Sequence, residues 1–405
     1  MTRGVGGSTA EAELVRLQSM RDVVPPIGEA ERHARIAKVQ AVMRAKGIQA
    51  LYLDASTTTF YFTGLRLRGS ERLHGAIIPA DGDLAYVTPA FEQAKLETMI
   101  TLPGRIHAWH EHEDPTGLVI DAVRAMGYAN GTLAIDPATP FFTFDGLRRA
   151  GNAFDFVNAV TVTGPCRMTK SAGEIALMKH AMNLTLEVHK AAARILRPGI
   201  TTTEVEAFVA KAHTALGFDI PASFCIVLFG EATAYPHGVP YPQTLREGDM
   251  VLIDIGAPMH GYQSDVTRSY VFGTPSARQR EVWDVEKRAT EAVFAAARLG
   301  APCEALDRAA RDVIEQAGFG KDYALPGLPH RTGHGVGLDV HEEPYIVRGD
   351  ATPLAPGMCF SNEPTICIYG EFGVRLEDHI YMTETGPAWF TPPALSIDDP
   401  FGEAA

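Results

Sequence analysis

Cysteine is scarce in this chain: five residues in 405, Cys166, Cys225, Cys303, Cys359 and Cys367, with no C-x-x-C pair. A scattered, odd set argues against a disulfide framework and reads as reduced thiols in a cytoplasmic protein. Cys359 and Cys367 sit in apolar runs and read as core. Long apolar runs are also missing. The best, such as Phe224–Phe229, are strand-sized, far short of the roughly 20 residues of a membrane span. Met1–Arg21 has no apolar stretch of the kind a secretory signal carries. Basic charge is in deficit, with Lys+Arg 36 against Asp+Glu 49 and a net charge of −13. That balance, without a Lys/Arg run, excludes nucleic acid or an anionic membrane as the expected partner. There is no G-x-S-x-G elbow and no Cys/His nucleophile signature. No G-K-[S/T] follows the glycines of Gly333–Gly337, so they are no phosphate loop.

What is present is an ordinary globular composition, 46% hydrophobic and 21% charged. The length exceeds the roughly 250–300 residues of a single core, so at least two domains are expected. Residues 1–25 are polar and read as loosely ordered, with a short helix over Ala10–Arg21. An α/β pattern then runs to residue 165. Ile36–Lys46 reads as a helix stopped by Gly47, and Ala50–Leu53 as a buried strand. Phe60–Thr63 and Gly75–Pro79 read as further strands, and Asp81-Gly82-Asp83 as a hairpin turn. Near residue 166 the pattern changes. Ser171-Ala-Gly-Glu174 is a capping box ahead of an apolar stripe, Ile175, Met178, Met182 and Leu186, and this helix should stop before Arg197-Pro198-Gly199. The second domain, 166–405, echoes itself. Gly199, Gly217 and Phe218 match Gly300, Gly318 and Phe319 at one constant interval of 101 residues. The matching order of helices and strands points to a duplicated unit with a pocket on its pseudo-twofold.

Five potential metal ligands stand out: Asp254, Asp265, His334, Glu363 and Glu377. Taken singly, each acid reads as a surface or ion-paired carboxylate. Together they form a pattern. Asp254 interrupts the buried strand Met250–Gly256, and Asp265 returns beyond the turn Pro258–Tyr262, so an antiparallel hairpin brings the two close. Glu363 and Glu377 flank the turn Tyr369-Gly370-Glu371 in the same way. Like charges that close require a cation between them or a proton on one. His334 lies between glycines that let the backbone approach a ligand. Four carboxylates and an imidazole suit a pair of divalent ions, Mn or Zn first, Co or Fe also.

At these residues the chain resembles a known family. V-L-I-D-I-G, S-D-V-T-R (Ser264–Arg268), H-R-T-G-H-G-V-G-L-D-V-H-E-E-P (His330–Pro344), S-N-E-P (Ser361–Pro364) and G-V-R-L-E-D (Gly373–Asp378) resemble the ordered signature of the pita-bread dinuclear metallopeptidases. Tyr61-Phe-Thr-Gly64 and Ser70-Glu-Arg-Leu73 resemble the creatinase-type leader of the proline-specific branch. The resemblance implies an α/β (α+β) chain: a creatinase-like N-terminal domain over 1–165, then a pita-bread catalytic domain with internal duplication over 166–405. It implies that Asp254 holds one ion, His334 and Glu363 the other, and that Asp265 and Glu377 bridge both. A metal-bridging hydroxide would attack the Xaa-Pro bond of a short peptide, with Glu363 moving the proton. His237 and His341 would contact the substrate amide or the tetrahedral intermediate. Thr267 and Arg375 would brace the acids from behind. A prolidase-like dipeptidase is the expected activity, and an aminopeptidase P-like enzyme its near alternative. Lyase relatives carry an extra carboxylate where this chain has Gly256, and binding modules on this fold lose ligands that are all retained here. A homodimer is also implied. His107, His110 and His112, with Glu111, Glu113 and Asp114, have no common ligand spacing and read as a surface loop.

Overall fold

The computed structural model describes residues 2–402. Two compact units emerge, one spanning residues 27–167 and the other residues 168–402 together with 2–26. Among the described residues no helix is long and apolar enough to cross a membrane. The chain begins with α1 (Ala10–Arg16), capped by the Thr9 hydroxyl, which accepts from the Ala12 amide.

The unit of residues 27–167 alternates α2 (Glu29–Lys46), β1 (Ile48–Leu53), α3 (Thr57–Thr63), β2 (Gly75–Pro79), β3 (Ala85–Pro89), α4 (Gln93–Met99), β4 (Arg105–Trp109), α5 (Pro115–Ala125), β5 (Gly131–Ile135), α6 (Phe141–Ala150), β6 (Phe154–Asn158) and α7 (Val160–Arg167). Its strands form one mixed sheet in the order β4-β3-β2-β1-β5-β6. Helix α2 ends at Gly47, whose φ of 67° only glycine adopts readily. The Asp81–Asp83 turn does join two antiparallel strands, β2 and β3. Phe60–Thr63, expected as a strand, is instead the last turn of α3. The Ser56 hydroxyl caps that helix, accepting from Thr58 and Thr59, and Gly64 closes it in the left-handed region. Caps at both ends outweigh the strand preference of a Thr/aromatic run.

Beyond residues 2–26, the larger unit continues with α8 (Ala172–Arg194), where both halves of the Ser171–Glu174 capping box form. It continues through α9 (Thr202–Leu216), β7 (Phe224–Phe229), β8 (Met250–Gly256), β9 (Pro258–Met259), β10 (Tyr262–Gln263), β11 (Val266–Val271), α10 (Ala277–Ala296) and α11 (Cys303–Gln316). It ends with β12 (Gly333–Gly335), β13 (Glu342–Ile346), β14 (Cys359–Asn362), β15 (Thr365–Ile368), β16 (Phe372–Arg375), β17 (Asp378–Thr383) and β18 (Gly386–Trp389). Two main sheets result, β11-β8-β7 and β13-β12-β14-β17-β18, with the ribbons β9–β10 and β15–β16 beside them.

The duplication is written in the hydrogen bonds. Gly199 donates to the Leu245 carbonyl as Gly300 donates to that of Leu354. Leu245 donates back to Ile200 as Leu354 does to Ala301, and Phe218 donates to His213 as Phe319 does to Ile314. The paired glycines share the same turn, with φ of 84° and 81° at Gly199 and Gly300, and 89° and 91° at Gly217 and Gly318. Each copy supplies most of one apolar core. One is built on α8, α9, β7 and β8, the other on α10, α11, β14 and β16, joined by Met250 and Val271 from the first copy. Burying each large aliphatic side chain in such a core contributes about 1.5–3 kcal/mol.

Residues 2–26 depart from the expected loose leader. Thr2 Oγ1 donates to the Val271 carbonyl at 2.7 Å, and the Gly6 and Ser8 amides donate to Ala193 and Arg194 at the end of α8. Glu13 is wholly buried and paired with Arg194 (2.8 Å) and Arg16 (3.1 Å). The polar composition reads as disorder because these partners lie some 180 residues away.

Candidate metal centre

Strand β8 is buried along its whole length, so a carboxylate at Asp254 is out of place unless something answers it. In the β8–β11 ladder Asp254 faces Thr267. Asp265, two residues earlier and so on the same face, is the diagonal neighbour of Asp254. In the β15–β16 ribbon Thr365 faces Arg375, and Glu363 and Glu377 lie two residues beyond on either strand. The ribbon turns at Gly370, with φ of 84°. The Glu377 amide donates to the Thr267 carbonyl at 3.1 Å, which draws the second acidic pair onto the first sheet. His334 sits on β12. Its neighbours Gly333 and Gly335 pass so close to the Ser361 and Glu343 carbonyls that a Cβ at either position would collide with backbone.

The structure therefore brings all five sequence-selected ligand candidates together. Ligand atoms within 4.8 Å of one another form three groups: Asp254–Asp265–Glu377, His334–Glu363–Glu377 and Asp265–His334–His379. Glu377, Asp265 and His334 each belong to two groups. Asp254 Oδ1 and Glu377 Oε1 are buried without a hydrogen-bond partner among the described residues. Buried acceptors left unanswered at the centre of a carboxylate cluster are what a cation site requires, and the donor set of carboxylates plus imidazole fits divalent ions. His334 Nδ1 lies 3.0 Å from the Gly335 carbonyl, which can only accept, so Nδ1 carries a proton. Nε2 then faces Glu363 Oε1 at 2.8 Å and Asp265 Oδ2 at 3.7 Å.

Electrostatics follow from this crowding. Burial first, then Asp254 and Glu363, push the Asp265 carboxyl well above the usual range. Burial first, then Asp265, Glu363 and Asp254, do the same to Glu377. Burial also raises Asp254, opposed by Arg375. Burial works against ionisation of Glu363 as well, but His334, His330 and Arg375 outweigh it and hold that carboxyl low. Arg375 reaches Asp254 Oδ2 at 2.5 Å, Thr267 Oγ1 at 3.3 Å and the Pro236 carbonyl at 3.1 Å. Thr267 Oγ1 in turn donates to Glu377 Oε2 at 2.7 Å. Both residues thus hold the acids from outside the cluster.

The cluster forms one wall of a cavity of about 930 Å³ that also receives Phe224, Ile226, His237 and His341. The His341 ring stands 4.1 Å from that of His334, and burial followed by that neighbour lowers its pKa to about 4. Sequence reasoning missed several members. His330 and Arg331 line the cavity, and His330 Nε2 lies 3.0 Å from Thr365 Oγ1. His379, fully buried on β17, joins the ligand groups. Its signal is an imidazole two residues after Glu377, beside Asp378 at the start of β17. Tyr235 and Tyr369 stack at 4.9 Å on the cavity wall, a pairing across 134 positions that no local pattern reveals. Elsewhere, His107 lies on β4, His110 and His112 stack at 6.0 Å beyond its end, and Arg72 pairs with Glu111 at 2.8 Å. Among the described residues that group forms no ligand set. All five cysteines are free.

Comparison with known proteins identifies the family. Residues 176–384 match Metallopeptidase family M24, and residues 35–169 match the Creatinase/Prolidase N-terminal domain. The chain is 37% identical over 362 residues to the probable dipeptidase PepE of Mycobacterium tuberculosis, covering 88% of this chain and 94% of that one. It is 32% identical to an Xaa-Pro dipeptidase of Lactobacillus helveticus, covering 87% and 95%. The crystal structure of a prolidase from Thermococcus sibiricus superposes with a TM-score of 0.82 at 32% identity, covering 90% and 98%.

Proposed function

The chain belongs to metallopeptidase family M24, and from that premise we propose that it hydrolyses the Xaa-Pro bond of dipeptides with two divalent ions held by Asp254, Asp265, His334, Glu363 and Glu377. The observation that carries the reading is that the five residues form two ligand groups, Asp254–Asp265–Glu377 and His334–Glu363–Glu377, that meet at Glu377. Two neighbouring groups joined by a common carboxylate suit two adjacent cations better than one. Divalent ions at such a site supply Lewis acidity toward a carbonyl oxygen and lower the pKa of coordinated water from 15.7 to about 7.

The remaining work falls to the chain itself. An Xaa-Pro bond offers no N–H, because the proline nitrogen is fully substituted. Recognition must then come from ring shape and the carbonyl. Phe224, Ile226 and the Tyr235–Tyr369 pair give the cavity apolar walls. The neutral His341 imidazole, low in pKa, is suited to donate a hydrogen bond to a developing oxyanion without adding charge beside the cations. His237, on the loop ahead of β8, is placed to do the same from another wall. Glu363, also bonded by Ser361 Oγ at 3.0 Å, is ionised and so able to accept a proton. Arg375 and Thr267 keep the carboxylates in place.

The cavity's volume also admits longer peptides, which keeps the aminopeptidase P-like alternative open to one assay. Ala-Pro and Ala-Pro-Ala are incubated with protein reconstituted in Mn or Zn. Turnover of Ala-Pro is expected, and cleavage of the tripeptide alone would refute the dipeptidase reading. Elemental analysis of the purified protein is expected to show two bound transition-metal ions per chain.

A further inference from the structure

Strand β7 is the outermost strand of its sheet. Along its open edge lies a second recess of about 410 Å³. Its inner wall is Ile226, His237 and Gly238, which also line the main cavity. Its outer wall is α9, through Thr202, Thr203 and Glu206. Ile226 pairs with Asp254 across the β7–β8 ladder, so the recess starts about 4.8 Å, one strand spacing, from the acidic cluster. Cys225, the neighbour of Ile226 on β7, lines the recess as well.

Glu206 is half-buried and makes no hydrogen bond or ion pair among the described residues. Its neighbour on the helix, Glu204, is by contrast engaged by Thr201 and Arg197. Burial raises the Glu206 pKa, the direction expected for a carboxyl that lacks a cation. No Lys or Arg lines the recess. Thr202, Thr203 and Gln243 give it polar walls, while Ile226, Val227 and Val239 give an apolar approach. Such a mixture matches a long side chain with an apolar stem and a cationic head.

We propose that this recess receives the cationic side chain of the residue preceding the scissile bond, with Glu206 as its counter-charge. The chain then prefers Lys-Pro and Arg-Pro over Ala-Pro. The proposal rests on the peptidase reading above, which places the peptide in the main cavity. A half-buried ion pair of this kind raises kcat/KM for the cationic substrate about five- to tenfold, mostly through KM.

The test is a substrate panel on the metal-loaded enzyme and two variants. In the wild type the kcat/KM ratio of Lys-Pro to Ala-Pro is expected to be about five to ten. In Glu206→Gln it falls toward one, and in Glu206→Lys the preference turns toward Glu-Pro. A ratio unchanged between wild type and Glu206→Gln overturns the proposal, and a general folding defect would lower every substrate alike without moving it. Lys-Pro-Ala and Ala-Pro-Ala are run in parallel. Should only these be cleaved, the dipeptidase reading fails while their ratio still decides the role of Glu206. Should neither series be cleaved, both readings fall together.

Discussion

Asp265→Asn is the sharpest probe of the cluster, because it removes one negative charge with almost no change in shape. In the cation-free protein, burial and the nearby charges of Asp254 and Glu363 lift the Asp265 pKa well above its ordinary 3.8. A folded-state pKa above the unfolded value means that the native state holds the proton more tightly. The stability tied to that proton is complete below pH 3.8 and is lost as pH rises toward the folded value. The loss is about 1.4 kcal/mol per pH unit, so at pH 7 the upper limit is roughly 4 kcal/mol. Asparagine carries none of this burden. In EDTA at pH 7 the variant is therefore expected to be more stable than wild type, by up to roughly 4 kcal/mol, shrinking toward zero near pH 4. With Mn at a hundredfold excess over its dissociation constant, wild type gains about 2.7 kcal/mol per site. The variant, lacking a shared ligand, gains far less, and the order of stabilities reverses. Urea unfolding followed by tryptophan fluorescence reads both conditions. A variant less stable than wild type in EDTA at pH 7 would refute the claim that the acids are mutually frustrated without a cation.

Other parts of the larger unit give independent expectations. His189 and His213 are buried and neutral, each donating to a backbone carbonyl (Val266 at 2.9 Å, Pro221 at 2.8 Å), and burial lowers their pKa values to about 3 and about 4. Their contribution is complete above pH 6.5 and is lost as pH falls, at about 1.4 kcal/mol per unit for each; a metal-loaded urea midpoint that stays flat from pH 6.5 to 4 would contradict this. Lys170 pairs with Glu342 at 2.6 Å, and the two side chains are 1% and 10% exposed. Lys170→Met removes the cation beside the largely buried Glu342 carboxylate and is expected to cost about 3 kcal/mol, most of it recovered when Glu342→Gln is added. Additive effects in that double-mutant cycle would show that the pair is not coupled.

The acidic centre was legible because a charge inside an apolar strand has few explanations, and because each pair straddles a recognisable turn. The capping box at Ser171 and the interval between Gly199 and Gly300 were legible because caps and left-handed glycines are local demands of the backbone. What escaped was set by distant partners or competing local signals. At Phe60–Thr63 side-chain preference pointed to a strand while Ser56 and Gly64 imposed a helix. Glu13 looks like any exposed acid until Arg194 is brought to it. His330 carries no pattern of its own and His379 only its place two residues after Glu377, so both gain meaning only where β12, β15 and β17 come together.

The acidic centre straddles the seam of an ancient doubling. Asp254 and Asp265 come from the first copy, while His334, Glu363 and Glu377 come from the second. Neither half alone owns all five candidate ligands. Any ion taken up there acts as a rivet between the two halves. Chelation is then expected to increase hydrogen exchange first where the halves meet, at the amide of Glu377 that bonds to Thr267, well before either interior loosens.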